Sequence, residues 1–327
     1  MKKILLSSLI GFSLFGSASQ ASELMNETFA TTTTSPYLKN YKSWMSTEVN
    51  DAWVAKYKGT GAKIFVVDDH AGRNGFSMGN LNEGLTSVSG SHGYWTALES
   101  KLVSPSASIG KVDWGMTIKF NKLGVWSNNP IKPLAGKLNI INASFGTYIS
   151  PSTNPDNVNF GYVLNEVKRV SNAGTVLLSK AAGNDGVDMG GTVSARGGNV
   201  DGFALGVKNA PAVIFVGALD RNGKVDNQAS ITSYSNRASS DAGFNSKYLM
   251  VGVETSKTGL AGTSFAAPIV SSYAAIVNSK FKTANPTQVA NQLLNTARTD
   301  TIKDYNVNVH GRGEASLSRA LAPVSLQ

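Results

Sequence analysis

Apolar residues fall into short unbroken runs separated by turn-forming clusters, and the runs have the length of buried strands. Lys63-Ile64-Phe65-Val66-Val67, Leu138 to Ser144, Thr175 to Leu178, Ala212 to Leu219 and Tyr248 to Val251 are of this kind. Ile109 to Val112 reads as a shorter strand, and Trp114, Met116, Ile118 and Phe120 alternate like another. Helical patterns lie between them. One, amphipathic, runs from His92 to about Lys101; one crosses Phe160 to Val170 and ends near Ala173-Gly174; one spans Pro286 to Thr296, starting at an Asn-Pro boundary. The stretch from Ser264 to about Phe281 differs from all of these. Up to Ile276 only Ser271, Ser272 and Tyr273 interrupt its small and apolar residues. A helix apolar on almost every side belongs in the middle of a large core. Pro268 fits near its first turn, where backbone N–H groups lack intrahelical partners. Strand, helix and strand in succession imply parallel crossovers, so the fold class is α/β.

Composition and the N-terminus set further bounds. Residues 1–21 read as a Sec signal peptide: Lys2-Lys3, an apolar region from Ile4 to Gly16, and the cleavage site Ser19-Gln20-Ala21. No later segment would span a bilayer, so the protein is expected to be secreted or periplasmic, with no transmembrane anchor. Residues 22–47, with four consecutive threonines and Pro36, read as an extended arm that Tyr37, Leu38 and Tyr41 anchor to the body. Such a segment is too short to fold alone without disulfides or metal, so folding without a dedicated pro-domain is expected. Residues 48–327 read as one domain. There is no cysteine, which excludes disulfides and thiolate metal sites. The net charge of +9 falls to +7 once Lys2 and Lys3 leave with the signal. The basic residues are scattered, which favours a solvated surface over a nucleic-acid site.

Candidate chemistry gathers at the ends of the patterned elements. Ser264 stands at the positive end of the buried helix beside Gly262, a position that suits a nucleophile as well as a helix cap. Asp68-Asp69 close a buried strand at the edge where open α/β sheets carry their sites. Among the three histidines, His70, His92 and His310, only His92 opens a patterned helix next to a glycine. Gly190-Gly191 and Gly197-Gly198 lack the lysine and the strand-to-helix context of a phosphate loop.

Four blocks in order complete the pattern: Lys63 to Asp68, His92-Gly93, Ala181-Ala182-Gly183-Asn184 and Gly262-Thr263-Ser264-Phe265-Ala266-Ala267-Pro268. Together they resemble the subtilisin-like serine proteases, the subtilases, in the order Asp, His, Ser. Ile141 to Gly146, Ser235-Asn236-Arg237 and His310-Gly311-Arg312-Gly313 are similar to further family segments, and the likeness runs from about residue 48 to the C-terminus. It is nearest to the protease domains of Gram-negative secreted subtilases. The resemblance implies a three-layer fold, a mostly parallel sheet with helices on both faces, as a single catalytic domain. It implies Ser264 as nucleophile, His92 as base, Asp68 as its partner and Asn184 as oxyanion donor. Ser144, Phe145, Gly146 and Gly183 would bind substrate, by strand addition to its backbone. The expected partners are protein or peptide substrates, the expected state a monomer. No cofactor is required; family members often bind structural calcium, yet no dense Asp/Glu loop marks a site here. Where the family has Ser or Thr and then Gly after the Asp, this chain has Asp69, expected to point to solvent, and His70. Tyr94 stands where Thr is usual and is expected to crowd the cleft. Two other readings remain: a catalytically silent scaffold that binds a peptide, and an esterase or ligase using the same acyl-enzyme.

Overall fold

Alternation along the first apolar run sets the layers. Ile64 and Val66 enter one core, while Phe65 and Val67 enter a second core on the opposite face of the sheet. The computed structural model describes residues 40–83, 86–115 and 131–326. Its strands are β1 (Ala62–Asp68), β2 (Phe76–Gly79), β3 (Val88–Ser91), β4 (Ser108–Asp113), β5 (Leu138–Ala143), β6 (Tyr148–Ile149), β7 (Leu177–Ala181), β8 (Val200–Asp201), β9 (Val213–Leu219) and β10 (Tyr248–Gly252). Helices of five residues or more are α1 (Thr47–Val54), α2 (His92–Val103), α3 (Tyr162–Asn172), α4 (Gly202–Val207), α5 (Ala267–Lys280), α6 (Pro286–Asn295) and α7 (Leu317–Leu321).

Six strands form one sheet in the order β10-β9-β7-β5-β1-β4, and every neighbouring pair is parallel. Strands buried on both faces need no polar alternation, which is why the sequence shows them as continuous apolar runs. The core containing Ile64 and Val66 also takes α1, α2, α5, α6 and α7, and the other takes α3 and α4. The result is the three-layer arrangement. Helix α5 packs against β1, β5, β7, β9 and α2, so it needs an apolar surface in every direction. Caps fix where the flanking helices begin: the Ser91 hydroxyl accepts from Tyr94 N–H at α2, and Asn285 with Gln288 forms a reciprocal capping box at α6.

Boundaries shift where tertiary contacts outvote local pattern. The run at 175–178 becomes a strand only from Leu177, and it continues through Ser179 and Lys180 to Ala181. Ser264 lies in a separate 3-10 turn, Thr263–Phe265, just before α5. Within the arm expected over 22–47, Trp44 and Met45 are buried, and the Trp44 indole donates to Leu81 O at 2.9 Å. The Tyr41 side chain packs on the same core. The signal segment 1–21, the rest of the arm with Tyr37 and Leu38, and Met116, Ile118 and Phe120 lie outside the described residues. Among the described residues, no helix is long and apolar enough to cross a membrane.

Candidate active site

Parallel strands present their carboxyl ends along one edge of the sheet, and the chain has placed its polar residues there. Strand β1 ends in Asp68; β5 runs into Ser144, and β7 runs into Gly183-Asn184. Residue parity puts the Asp68 side chain on the face that holds α2 and α5. There its Oδ1 lies 2.6 Å from His92 Nδ1 and accepts from Asp69 N–H at 2.7 Å. Its Oδ2 accepts from the Thr96 hydroxyl at 3.0 Å. Asp68 is buried, and His92, the first residue of α2, keeps 33% of its side chain exposed at the cavity. A carboxylate engaged at both oxygens holds the imidazole by one nitrogen and leaves the other free for a proton. Thr96 was missed in the sequence; it stands four residues after His92, and that i,i+4 spacing was its only signal. The His92 ring rests on Phe265, with centroids 5.8 Å apart.

Ser264 comes from the 3-10 turn just before α5, next to the Phe265 ring that touches His92. No side chain caps that helix, so Ser264 is no N-cap; the N–H groups of Phe265 and Ala266 bond back to Gly262 O and Thr263 O. Its hydroxyl donates to Ser144 O at 3.3 Å, and the Ser144 hydroxyl donates back to Ser264 O at 2.9 Å. Among the described residues no hydrogen bond joins Ser264 to His92. Asn184 is oriented by Thr263, whose N–H and hydroxyl both donate to Asn184 Oδ1, at 2.8 and 2.9 Å. Fixing the oxygen inward turns the amide nitrogen of this exposed residue outward. Gly183 donates its N–H to the Thr263 hydroxyl at 3.1 Å and takes no part in the cavity wall. It sits at φ +110°, and a Cβ there would lie 2.3 Å from Asn236 Nδ2, so only glycine fits.

A cavity of about 550 Å³ opens beside Asp68 and His92. Phe76, Trp114, Phe145, Phe160 and Leu164 give it apolar walls, with Ser144 and Gly146 on the segment that follows β5. Phe145 and Gly146 lie outside any ladder, and both line the cavity. Two expectations need correction here. Asp69 does not point to solvent: it is 1% exposed, and its Oδ2 accepts from Asn74 N–H at 2.7 Å. Burial pushes its carboxyl up, but N–H groups of Asn74, Arg73 and Gly72 and the Arg73 guanidinium outweigh this and hold it below the usual range. Tyr94 does not crowd the cavity; it stands edge-on to Trp95, over Gly90. His70 Nε2 lies 2.9 Å from Val66 O, and His310 is buried with its Nδ1 accepting from Asn306 N–H. Among the described residues, no three histidine, aspartate or glutamate side chains converge as a metal ion would require.

The model of the Subtilase family matches residues 82–316, most of the chain. The chain belongs to the subtilase family. As a subtilase it is a serine-type endopeptidase, and the matched span contains His92, Asn184 and Ser264, while Asp68 lies ahead of it. Solved structures share the subtilase's fold. A lanthipeptide protease superposes with a TM-score of 0.53 at 19% identity, covering 88% of this chain and 95% of that one. The prenylagaramide maturation protease PagA gives 0.50 at 19% identity, covering 84% and 96%. A protease from Pseudoalteromonas arctica PAMC 21717 gives 0.50 at 17%, covering 89% and 99%. No curated protein matches the chain in sequence.

Proposed function

We propose that this subtilase is an exported serine endopeptidase that cuts peptide bonds through an acyl-enzyme on Ser264. The observation that carries the reading is the Asp68–His92 pair, 2.6 Å apart at the mouth of the cavity and closed behind by Thr96. A serine hydroxyl is a poor nucleophile until a base removes its proton during attack. Rotation away from Ser144 O brings the Ser264 hydroxyl to His92 Nε2; hydrogen bonds of this kind are often unformed before substrate binds. As Oγ bonds to the carbonyl carbon, its proton passes to His92, and Asp68 stabilises the imidazolium. The Asn184 amide and the Ser264 N–H meet the charge developing on oxygen. The C–N bond then breaks, and His92 returns the proton to the leaving amine. Water repeats the sequence on the acyl-enzyme and frees the acid.

Ser144, Phe145 and Gly146 pair with the substrate backbone in extended form, and the apolar walls accept large apolar side chains. Peptide substrates of that composition follow from the lining. The apolar run 4–16 behind Lys2-Lys3 supports export.

The test uses the full chain produced with its native N-terminus. Ser264→Ala is expected to remain folded and lose turnover of a peptide library, and phenylmethylsulfonyl fluoride is expected to block the wild type. A folded Ser264→Ala variant that still cleaves removes the nucleophile from the reading. A folded wild type that cuts no peptide and resists the reagent turns the reading to a silent scaffold. The N-terminal mass of the exported protein checks the signal; a mass that retains residues 1–21 excludes cleavage there.

A further inference from the structure

The buried hydroxyl of Ser144 does more than line the strand. The Ser264 carbonyl oxygen can only accept a hydrogen bond, so the single proton of Ser144 Oγ, 2.9 Å away, is committed to it. Ser144 Oγ is left as an acceptor on its other side. The Asn142 atom facing it, at 3.0 Å, must therefore be the amide nitrogen, Nδ2. The opposite atom of that amide, Oδ1, then accepts from the Ser271 hydroxyl at 3.4 Å on α5. Polarity runs one way along the chain Ser271, Asn142, Ser144, Ser264. Asn142 and Ser271 are wholly buried and Ser144 nearly so, and none of the four has an unpaired side-chain atom. The chain ties α5, the segment that follows β5, and the turn bearing Ser264 into one hydrogen-bonded unit.

We propose that Asn142 is a positioning residue for the nucleophile: it keeps the Ser144 hydroxyl donating to the backbone of Ser264. This rests on the reading of Ser264 as nucleophile. The physical reason is that Ser264 sits in a single 3-10 turn with no side-chain cap on the helix behind it. Its carbonyl would otherwise be buried without a partner, at a cost the turn relieves by shifting. A shift of that turn moves Oγ relative to His92 and spoils the geometry of attack. The substrate-pairing role proposed for the Ser144 backbone does not depend on the direction of its side-chain bond.

Two variants separate this role from simple packing. Ser144→Ala removes the donor, and kcat on a quenched-fluorescent peptide of large apolar residues is expected to fall roughly 2- to 10-fold. KM is expected to stay within about twofold, because the backbone acceptor remains. Asn142→Asp keeps the shape but replaces the amide nitrogen with an oxygen. Burial raises the introduced carboxyl above its usual range. While protonated it can donate to Ser144 as the amide did; once ionised it takes the Ser144 proton away from Ser264. The ratio of variant to wild-type kcat is therefore expected to fall as pH rises, which lost packing alone would not produce. At high pH the double variant is expected to be no slower than Ser144→Ala, since both changes break the same chain.

A pH-independent ratio, or two additive losses, overturns the proposal. So does a Ser144→Ala variant with unchanged kcat and only a lowered unfolding temperature. If Asn142→Asp fails to fold, the KM-against-kcat split of Ser144→Ala decides alone: a KM rise at constant kcat makes Ser144 a substrate contact and ends the inference. Turnover by Ser264→Ala defeats the nucleophile assignment instead, a result distinct from all of these.

Discussion

Asp69 sits one residue beyond Asp68, yet it does different work. Pleat alternation sends it away from His92, and its carboxylate gathers N–H groups of the 72–74 loop while its backbone oxygen accepts from Gly93 N–H at 3.0 Å. That loop leads into Asn74, Gly75 and Phe76 of the cavity wall. Arg73 extends the tie, bridging Asp69 to Asp113 at the end of β4. Because the folded-state value of Asp69 is depressed, its contribution to stability is present above the usual carboxylate range, near pH 4, and is lost as pH falls through the lower value. Asp69→Asn is expected to be less stable than wild type at pH 7, with the two converging as pH falls through the depressed folded-state value. Thermal unfolding across that range is the measurement; equal stability at pH 7 would mean the loop holds without the charge. Asp68 and His92 could be picked out because each stands at the end of a strongly patterned element, and the structure sets the two 2.6 Å apart. Asp69 was misread because its partners are backbone groups of a loop that carries no pattern at all.

Elements show the same division. The runs that became β1, β5, β9 and β10 were visible because burial on both faces leaves nothing but apolar residues. The apolar run behind β7 stops at Leu178, so its pattern leaves out Ser179, Lys180 and Ala181. The structure buries Lys180 completely and pairs it with Asp201, 3.1 Å away, while its ammonium also donates to Ala181 O. Asp201 caps α4 through Ala204 N–H and accepts from Thr147 N–H, just past the segment that follows β5. A partner 21 residues away, across a loop, cannot be inferred from spacing. Removing one member of such a pair leaves a buried charge uncompensated. Lys180→Met is expected to cost about 3 kcal/mol, the lower end for such pairs, since Asp201 keeps its two N–H donors. Adding Asp201→Asn should recover part of the loss. Denaturant midpoints of the single and double variants test this; a single variant as stable as wild type would show that the pair contributes nothing net.

At the scale of the whole molecule, packing against α5 forces one acid into the interior. Glu99 lies on α2 at 3% exposure, and its Oε2 has no hydrogen-bond partner. Burial pushes its carboxyl well above the usual glutamate range. A raised folded-state value favours folding fully below the unfolded value, near pH 4.3, and that contribution is lost as pH rises toward the folded one. Glu99→Gln, neutral throughout, is expected to unfold at a higher temperature than wild type at pH 8 and at about the same temperature near pH 4. A lower unfolding temperature at both would indicate an ionised Glu99 with a partner. The amphipathic pattern of α2 was read from its apolar positions, and it gave no sign that a glutamate would turn inward. The central helix has a further bearing on timing. Gly59 N–H bonds to Ser279 Oγ, 220 residues on, and Glu48 accepts from Leu317 N–H, 269 residues on. A ribosome releases residues 267–280 only after the strands around them, so until then the emerging polypeptide has a gap where its middle should be. The turn that carries Ser264 has nothing to stand on before that gap is filled. A growing chain of this protease is thus unable to cut its neighbours, or itself, until residues 267–280 have been made.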